Sequence, residues 1–344
     1  MREQPTPDQL LRPPPAPSTR IFLLARSAPL APEYAPAAHS GDGGYPAYYH
    51  RVWTVLSGLG YRVTTSNHFR DLYTQAQSID LVFSLYNCAP FDNPEIFVAS
   101  TCEFLHLPHI GAKPNIRALA EDKWLSKNFA RAIGMPVTEG AIFARPQDMK
   151  TEPPFPGPYF IKSRFGAASE GVSEQSMQED WAGAKRVAGA LFERGASVLV
   201  EQYAEGLDVT VPVLGGATPI LLGLVHPRSD RLGAIITEEL KRDDPLGYEL
   251  FDAGKKTMSF FDDAQKLWSA AGPMDYLRLD YRYDPKTGKR VFLEFNLCCH
   301  IGRSGAICLA ASRWGLSQED VLGHVIEYSL GRQARQVETR RWAL

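Results

Sequence analysis

The residue types best suited to chemistry lie in two apolar stretches near the C-terminal end, Leu277-Arg278-Leu279-Asp280 and Val291-Phe292-Leu293-Glu294-Phe295-Asn296. The intervening Asp284-Pro285-Lys286-Thr287-Gly288 is a turn sequence, so the two stretches predict paired strands with Asp280 beside Glu294 and Asn296. Alternate side chains of a strand share a face, which aims Glu294 and Asn296 the same way and Phe295 into a core. Two carboxylates and an amide oxygen are hard donors of the kind Mg²⁺ takes, its shell completed by water and nucleotide phosphates. That chemistry is phosphoryl transfer. Taken alone, the same hairpin reads equally well as a solvated turn with acids facing water, so the upstream residues carry weight.

Lys162 ends the apolar run Tyr159-Phe160-Ile161 and is followed by Arg164 and the small-residue loop Gly166-Ala167-Ala168-Ser169-Glu170-Gly171. Backbone N–H groups of such a loop can approach phosphate oxygens while a lysine supplies a point charge. The loop does not have the Walker spacing, and a lone Gly-rich turn is often only a turn. Val198-Leu199-Val200-Glu201-Gln202-Tyr203-Ala204 is an apolar strand running into a polar linker, with Gly206-Leu207-Asp208 after it. A linker of this kind offers backbone groups to an adenine and a carboxylate to ribose hydroxyls; Glu201 and Asp208 are alternatively strand-end surface acids.

These segments need elements to hold them. Ile21 to Ala25, Tyr61 to Thr65 and Leu81 to Leu85 read as buried strands, with helices over Tyr45 to Leu59 and Pro94 to Leu105 and a short strand end at His109-Ile110-Gly111. Strands alternating with helices imply a parallel sheet covered on both faces. The texture then changes: a charged helix containing Glu121-Asp122-Lys123, a strand from Tyr159 to Lys162, a helix over Gln178 to Arg194, a strand from Ser197 to Gln202, and a last helix near Gln318 to Leu330. The expected organisation is a disordered Pro-rich arm over 1–19, an N-terminal α/β domain over 20–115, and two α+β subdomains over 116–205 and 206–344.

Composition excludes several classes. The 37 Lys and Arg balance 39 Asp and Glu to a formal charge of −2, so no general attraction to nucleic acid or anionic membrane is encoded. The longest apolar runs fall far short of the ~20 residues of a membrane span. Six prolines in the first twenty residues do not make a secretory leader. Five cysteines, Cys88, Cys102, Cys298, Cys299 and Cys308, are an odd number that fits reduced thiols and a cytoplasmic location. Cys298-Cys299-His300 invites a zinc or thiol-nucleophile reading, but three consecutive residues cannot all face one ion, and zinc needs about four convergent ligands.

In order, Asp122-Lys123, Lys162 with its loop, Val200 to Ala204 with Asp208, Arg278-x-Asp280 and Glu294-x-Asn296 resemble the ATP-grasp superfamily, and within it the D-alanine–D-alanine ligases. The resemblance covers about residues 81 to 330. It implies that ATP is bound by Lys123, Lys162, the loop Gly166 to Gly171 with Ser169, the linker residues Glu201, Tyr203 and Ala204, and Asp208 at the ribose. It also implies that Asp280, Glu294 and Asn296 hold two Mg²⁺ (or Mn²⁺), that Arg278 stabilises an oxyanion with Lys241 and Ser169 near the γ-phosphate, and that the chain is a homodimer through its first domain. The activity implied is acylphosphate formation on a small-molecule carboxylate followed by attack of an amine.

Departures cluster on the substrate side. The family's Gly-Gly-x-Ser-x-Glu turn is here Leu24-Ala25-Arg26-Ser27-Ala28-Pro29, leaving Glu33 or Asp42 as alternative ammonium anchors, and its Pro-Gly-Met-Thr stretch is Leu297 to Ser304. Gly302, Arg303 and Ser304 are expected to grip a substrate carboxylate, since a guanidinium forks two hydrogen bonds onto that group. The expectation is a carboxylate–amine ligase of specialised metabolism rather than one making the peptidoglycan dipeptide. A kinase stopping at phosphoryl transfer, a D-alanine–D-alanine ligase proper and a non-catalytic ATP-binding protein stay open as alternatives.

Overall fold

The computed structural model describes residues 9–26, 44–86, 94–166, 171–228 and 247–341. Strands β1 (Arg20–Leu24), β2 (Arg62–Ser66) and β3 (Leu81–Ser84) form a parallel sheet in the order β2-β1-β3. Parallel neighbours need crossovers, here carried by α1 (Gly44–Gly58) and the short α2 (Asp71–Thr74), with α3 (Pro94–Phe104) following β3. On β1, Ile21 and Leu23 enter one core with α1, while Phe22 and Leu24 enter another with Leu72, Val98 and Cys102. A strand buried on both faces has no polar alternation to show, which is why this one reads as a continuous apolar run. His109 adds the expected short parallel bridge, to Val82.

Next come α4 (Pro114–Glu121) and α5 (Lys123–Ala132). The sequence reading put Glu121-Asp122-Lys123 inside one helix; the chain breaks there because Asp122 leaves helical geometry and its carboxylate accepts hydrogen bonds from the Trp124 and Leu125 N–H groups, as an N-cap. Strands β4 (Gly140–Phe143), β5 (Tyr159–Ser163), β6 (Met177–Gln178) and β7 (Val198–Gln202) make an antiparallel sheet in the order β4-β7-β5-β6. Gln178, expected in a helix, belongs to β6; α6 (Trp181–Glu193) begins only after Asp180, whose side chain caps Gly183 N. Tyr159, Ile161, Val198 and Val200 pack under Trp181, Ala184 and Leu191. The two-residue strand period therefore turns Phe160, Lys162 and Glu201 to the other face.

The third sheet holds β8 (Leu207–Leu214), β9 (Ile220–Leu221), β10 (Leu224–Pro227), β11 (Tyr248–Phe251), β12 (Tyr276–Tyr283) and β13 (Arg290–Asn296), in the order β11-β10-β8-β12-β13 with β9 on β8. Its apolar face, with Leu277, Leu279, Tyr281 and Phe295, packs on Phe260 and Leu267 of α7 (Thr257–Ala271). The chain closes with α8 (Ala306–Ser312) and α9 (Gln318–Arg341), the latter running past the Leu330 end expected from sequence. Among the described residues no helix is long and apolar enough to cross a membrane.

The Pro-rich arm departs from the expected disorder at residue 9. Leu10 is buried in the core shared by α1 and α9, and Leu11 N donates to His324 Nδ1 at 2.9 Å. Proline lowers the entropy that this arm loses on docking, and one apolar side chain then anchors it.

One polar tie joins the first sheet to the C-terminal elements. Asp275, fully buried, receives Arg332 through two hydrogen bonds of 2.9 Å each and the Gly111 N–H at 2.7 Å, and returns its own N–H to Gly111 O at 2.9 Å. Replacing Asp275 by Ala strands a buried guanidinium and should cost about 3–5 kcal/mol. Urea unfolding measures it; a loss below about 1 kcal/mol would show the tie to be structurally idle.

Candidate active site

Strands β12 and β13 pair so that Arg278 lies opposite Asn296 and Asp280 opposite Glu294, the register the alternation predicts. Phe295 is 1% exposed, so the polar and apolar faces separate as expected. Between Asp280 and Tyr281 the register shifts, Tyr281 pairing with Phe292, so Leu293 is the extra residue of a β-bulge. The bulge lets Leu293 and Glu294 both face one cavity while Phe292 stays in the core.

The acids are held by a polar cage. Thr210 Oγ1 donates to Asp280 Oδ1 at 2.7 Å, Asn296 Nδ2 donates to Asp280 Oδ2 at 2.9 Å, and Arg278 Nε lies 3.2 Å from the same Oδ2. Arg278 Nη1 also donates to the Tyr248 hydroxyl at 3.0 Å. Glu294 acts electrostatically on both Lys162 and Arg278. Two carboxylates and an amide on adjacent strands form an all-oxygen donor set, the amide oxygen remaining available because its nitrogen bonds Asp280. The residues present fit Mg²⁺. Among the described residues no group of three or more His, Cys, Asp or Glu side chains gathers for a metal.

Across the cavity, the face of the second sheet carries a buried ion triad. Glu201 Oε1 lies 2.6 Å from Lys127 Nζ and Oε2 lies 2.9 Å from Lys162 Nζ. Lys127 also donates to Thr138 Oγ1 at 2.8 Å. Burial alone would raise the Glu201 carboxyl, but Lys127 and Lys162 outweigh it and bring it down to about 2. Burial likewise opposes charge on Lys162, yet Glu201 and Glu294 leave it above its ordinary value. Two ammonium groups share one carboxylate, so the triad keeps a net positive charge in a place poor in water, which favours an anion beside it. Lys123 adds a third ammonium, its Nζ donating to Gly166 O at the start of the small-residue loop.

The linker after β7 is fixed from β12. Arg282 Nε donates to Ala204 O at 3.1 Å, Arg282 Nη2 to the Tyr203 hydroxyl at 3.3 Å, and Arg282 Nη1 lies 3.1 Å from Asp208 Oδ2. Gly206 sits at φ 117°, and a Cβ there would come within 2.2 Å of Tyr283 O, so the close approach of linker to strand requires glycine.

One cavity of about 150 Å³ is lined by Lys123, Lys162, Gly166, Glu201, Tyr203, Ala204, Asp208, Arg278, Asp280 and Glu294, drawn from the lysine, linker and hairpin segments singled out by sequence, with Asn296 outside that lining. Glu201 faces its two lysines, a role beyond the linker position expected of it. Gly171 lies beside this lining, its neighbour Val172 within it. Gly302, Arg303 and Ser304 are outside the lining, in the turn before α8. Ser169, Lys241, Glu33, Asp42 and Cys88 lie outside the described residues. Sequence reasoning missed Lys127, Arg282 and Tyr248. Arg282 follows Arg278 and Asp280 at the same-face spacing and was legible; Lys127 sits one helical turn after Lys123.

The thiols of the segment that follows β13 are buried. Cys298 Sγ donates to Ser84 O at 3.4 Å, and burial pushes the Cys299 thiol up to about 12. His300 stacks on Tyr48 with ring centroids 4.0 Å apart.

No family model matches the sequence. A D-alanine–D-alanine ligase of Oleidesulfovibrio alaskensis is 28% identical over 295 residues, 83% of this chain and 92% of the relative. The D-alanine–D-alanine ligase of Sinorhizobium medicae is 30% identical over 266 residues, 70% of this chain and 79% of the relative. A solved D-alanine–D-alanine ligase of Bacillus anthracis complexed with ATP superposes with a TM-score of 0.72 over 93% of this chain and 100% of that one, at 17% identity, and shares the fold. With the ATP-grasp architecture in place and relatives matched over most of their length, the chain belongs to the D-alanine–D-alanine ligase family of ATP-dependent carbon–nitrogen ligases.

Proposed function

We propose that this ligase activates a carboxylate other than D-alanine as an acylphosphate and joins it to an amine, releasing ADP and phosphate, in a metabolic role outside peptidoglycan synthesis. The supporting observation is the single cavity in which Lys123 and Lys162 face Arg278, Asp280 and Glu294. A carboxylate is a poor electrophile at neutral pH. Transfer of the γ-phosphoryl group gives it a good leaving group, after which the amine attacks the acyl carbon and inorganic phosphate departs. Positioning and electrostatics do nearly all of this work.

In this reading Lys123 and Lys162 hold the nucleotide phosphates, Glu201 anchors Lys162 and is itself fixed by Lys127, and Arg282 orders the linker of Tyr203, Ala204 and Asp208 along the adenosine. Asp280, Glu294 and Asn296 would hold two Mg²⁺, which supply charge neutralisation at the transferring group, with Mn²⁺ as a substitute. Arg278, set by Tyr248 and Asp280, faces the oxyanion of the tetrahedral adduct. Ser169 and Lys241 near the γ-phosphate, Gly302, Arg303 and Ser304 at a substrate carboxylate, and a homodimer belong to the same reading. The altered turn after β1, which begins Ala25-Arg26-Ser27, supports a carboxylate other than D-alanine.

An ADP-release screen of small carboxylates paired with amines tests this. Pairs other than D-alanine with itself should give the fastest turnover, and a strict preference for D-alanine twice would overturn it. Arg278→Ala should lower kcat by about 10²–10³-fold with the ATP affinity kept, as expected for loss of an oxyanion donor. Lys127→Met should weaken binding of a fluorescent ATP analogue while circular dichroism stays native, since the residue acts through Glu201. The triad also sets an acid limit. The Glu201 carboxyl is lowered from 4.5 to about 2, so its stabilisation is full above the unfolded value and is lost as pH falls through that window. The acid-unfolding curve of Glu201→Gln should be flatter there than that of the parent chain.

A further inference from the structure

Arg278 is held by partners from two different strands. Asp280 Oδ2, on its own strand β12, lies 3.2 Å from its Nε, and the Tyr248 hydroxyl, from the edge strand β11, accepts from its Nη1 at 3.0 Å. In the order β11-β10-β8-β12 two strands stand between these residues, so their backbones are roughly 14 Å apart at about 4.8 Å per strand step. Two long side chains reaching over the sheet face close that distance. Both residues line the cavity, together with Pro227 of β10 and Thr210 of β8 from the strands between them. The contact therefore belongs to the reacting end of the site, beside Asp280 and Glu294.

A guanidinium has no acceptor, so Arg278 donates in this bond and the phenol oxygen contributes a lone pair. The hydroxyl proton is not spent on it. Accepting from a cation polarises the O–H and makes it a stronger donor in turn. Holding the guanidinium does not call for that proton, since Asp280 already offers Arg278 an acceptor. Two donors 3.0 Å apart share a point about 2.8 Å from each, within the roughly 2.7–3.1 Å at which donors surround an oxyanion. A neutral hydroxyl also adds to Arg278 at that point without a second positive charge to repel the first.

Building on the ligase reading above, we propose that Tyr248 is a catalytic residue, a second donor to the oxyanion: its hydroxyl and the Arg278 guanidinium together receive the acyl oxygen as the amine adds to the acylphosphate. No proton changes owner at Tyr248. The hydroxyl hydrogen-bonds the oxygen while negative charge gathers there, and the bond weakens when the carbonyl re-forms and the C–O bond to phosphate breaks. Phosphoryl transfer comes earlier and makes no use of this hydroxyl.

The protein is supplied with ATP, Mg²⁺, hydroxylamine and an equimolar mixture of acetate, D-alanine and the common L-amino acids, so that hydroxylamine traps any acylphosphate as a coloured hydroxamate. A fluorescent ATP analogue is titrated into the same preparations. Tyr248→Phe should lower the hydroxamate rate about 10²-fold while the affinity for the analogue and the first-turnover release of ADP stay as in the parent chain. A tyrosine carrying one ring fluorine, placed at position 248 and assayed where its phenol stays protonated, separates donation from support. Fluorine makes the hydroxyl a stronger donor and a weaker acceptor. Hydroxamate should therefore form faster than in the parent chain if Tyr248 donates to the oxyanion, and more slowly if it only holds Arg278. A fluorinated protein no faster than the parent, or a parental rate in Tyr248→Phe, overturns the assignment and leaves the ligase reading standing. Bound ATP analogue without hydroxamate from any acid overturns the ligase reading and this inference with it.

Discussion

The cross-strand meeting of Asp280 and Glu294 is the constraint on which the rest of the site depends. Two carboxylates opposite each other repel, and a sheet tolerates them only when cations and donors offset that repulsion. Here Thr210, Asn296 and Arg278 take the oxygens of Asp280, and Glu294 lies in the field of Lys162 and Arg278. The strand that supplies Arg278 and Asp280 also supplies Arg282, so one strand face serves the reacting end and the linker end together.

The opposite wall answers with positive charge. Lys127, Glu201 and Lys162 come from α5, β7 and β5, and their mutual contacts dock the first helix after the break at Asp122 onto the second sheet. The break itself matters: Asp122 caps α5 and receives Arg164 from beyond β5, placing Lys123 beside Gly166. A cavity with a cationic wall and an acidic wall suits a phosphate chain bridged by divalent ions, because each wall lacks the charge that the other partner of that pair brings.

Much of this was legible in the sequence because strand alternation is a strong local signal. The β12–β13 hairpin, the polar face of Asp280, Glu294 and Asn296, and the buried strands β1 and β3 all follow from a period of two or from an unbroken apolar run. What stayed hidden depends on contacts distant in the chain. Nothing in Tyr248 announces its bond to Arg278, and Glu201 reads as a strand-end acid until Lys127 is brought to it by folding. The helix break at Asp122 was missed because charged residues around it mimic a continuous exposed face, while the cap is a single side chain. The arm before β1 shows the same limit: its prolines suggest disorder, while Leu10, within the described part of the arm, is buried in the core with α9.

The central claim is that Asp280, Glu294 and Asn296 gather divalent ions that grip a nucleotide. Electron paramagnetic resonance of Mn²⁺ titrated into the protein with a non-hydrolysable ATP analogue measures this without turnover. The account requires tight, nucleotide-dependent Mn²⁺ binding in the parent chain and its loss in a folded Asp280→Asn, Glu294→Gln double variant. Mn²⁺ bound equally well by that variant would contradict it.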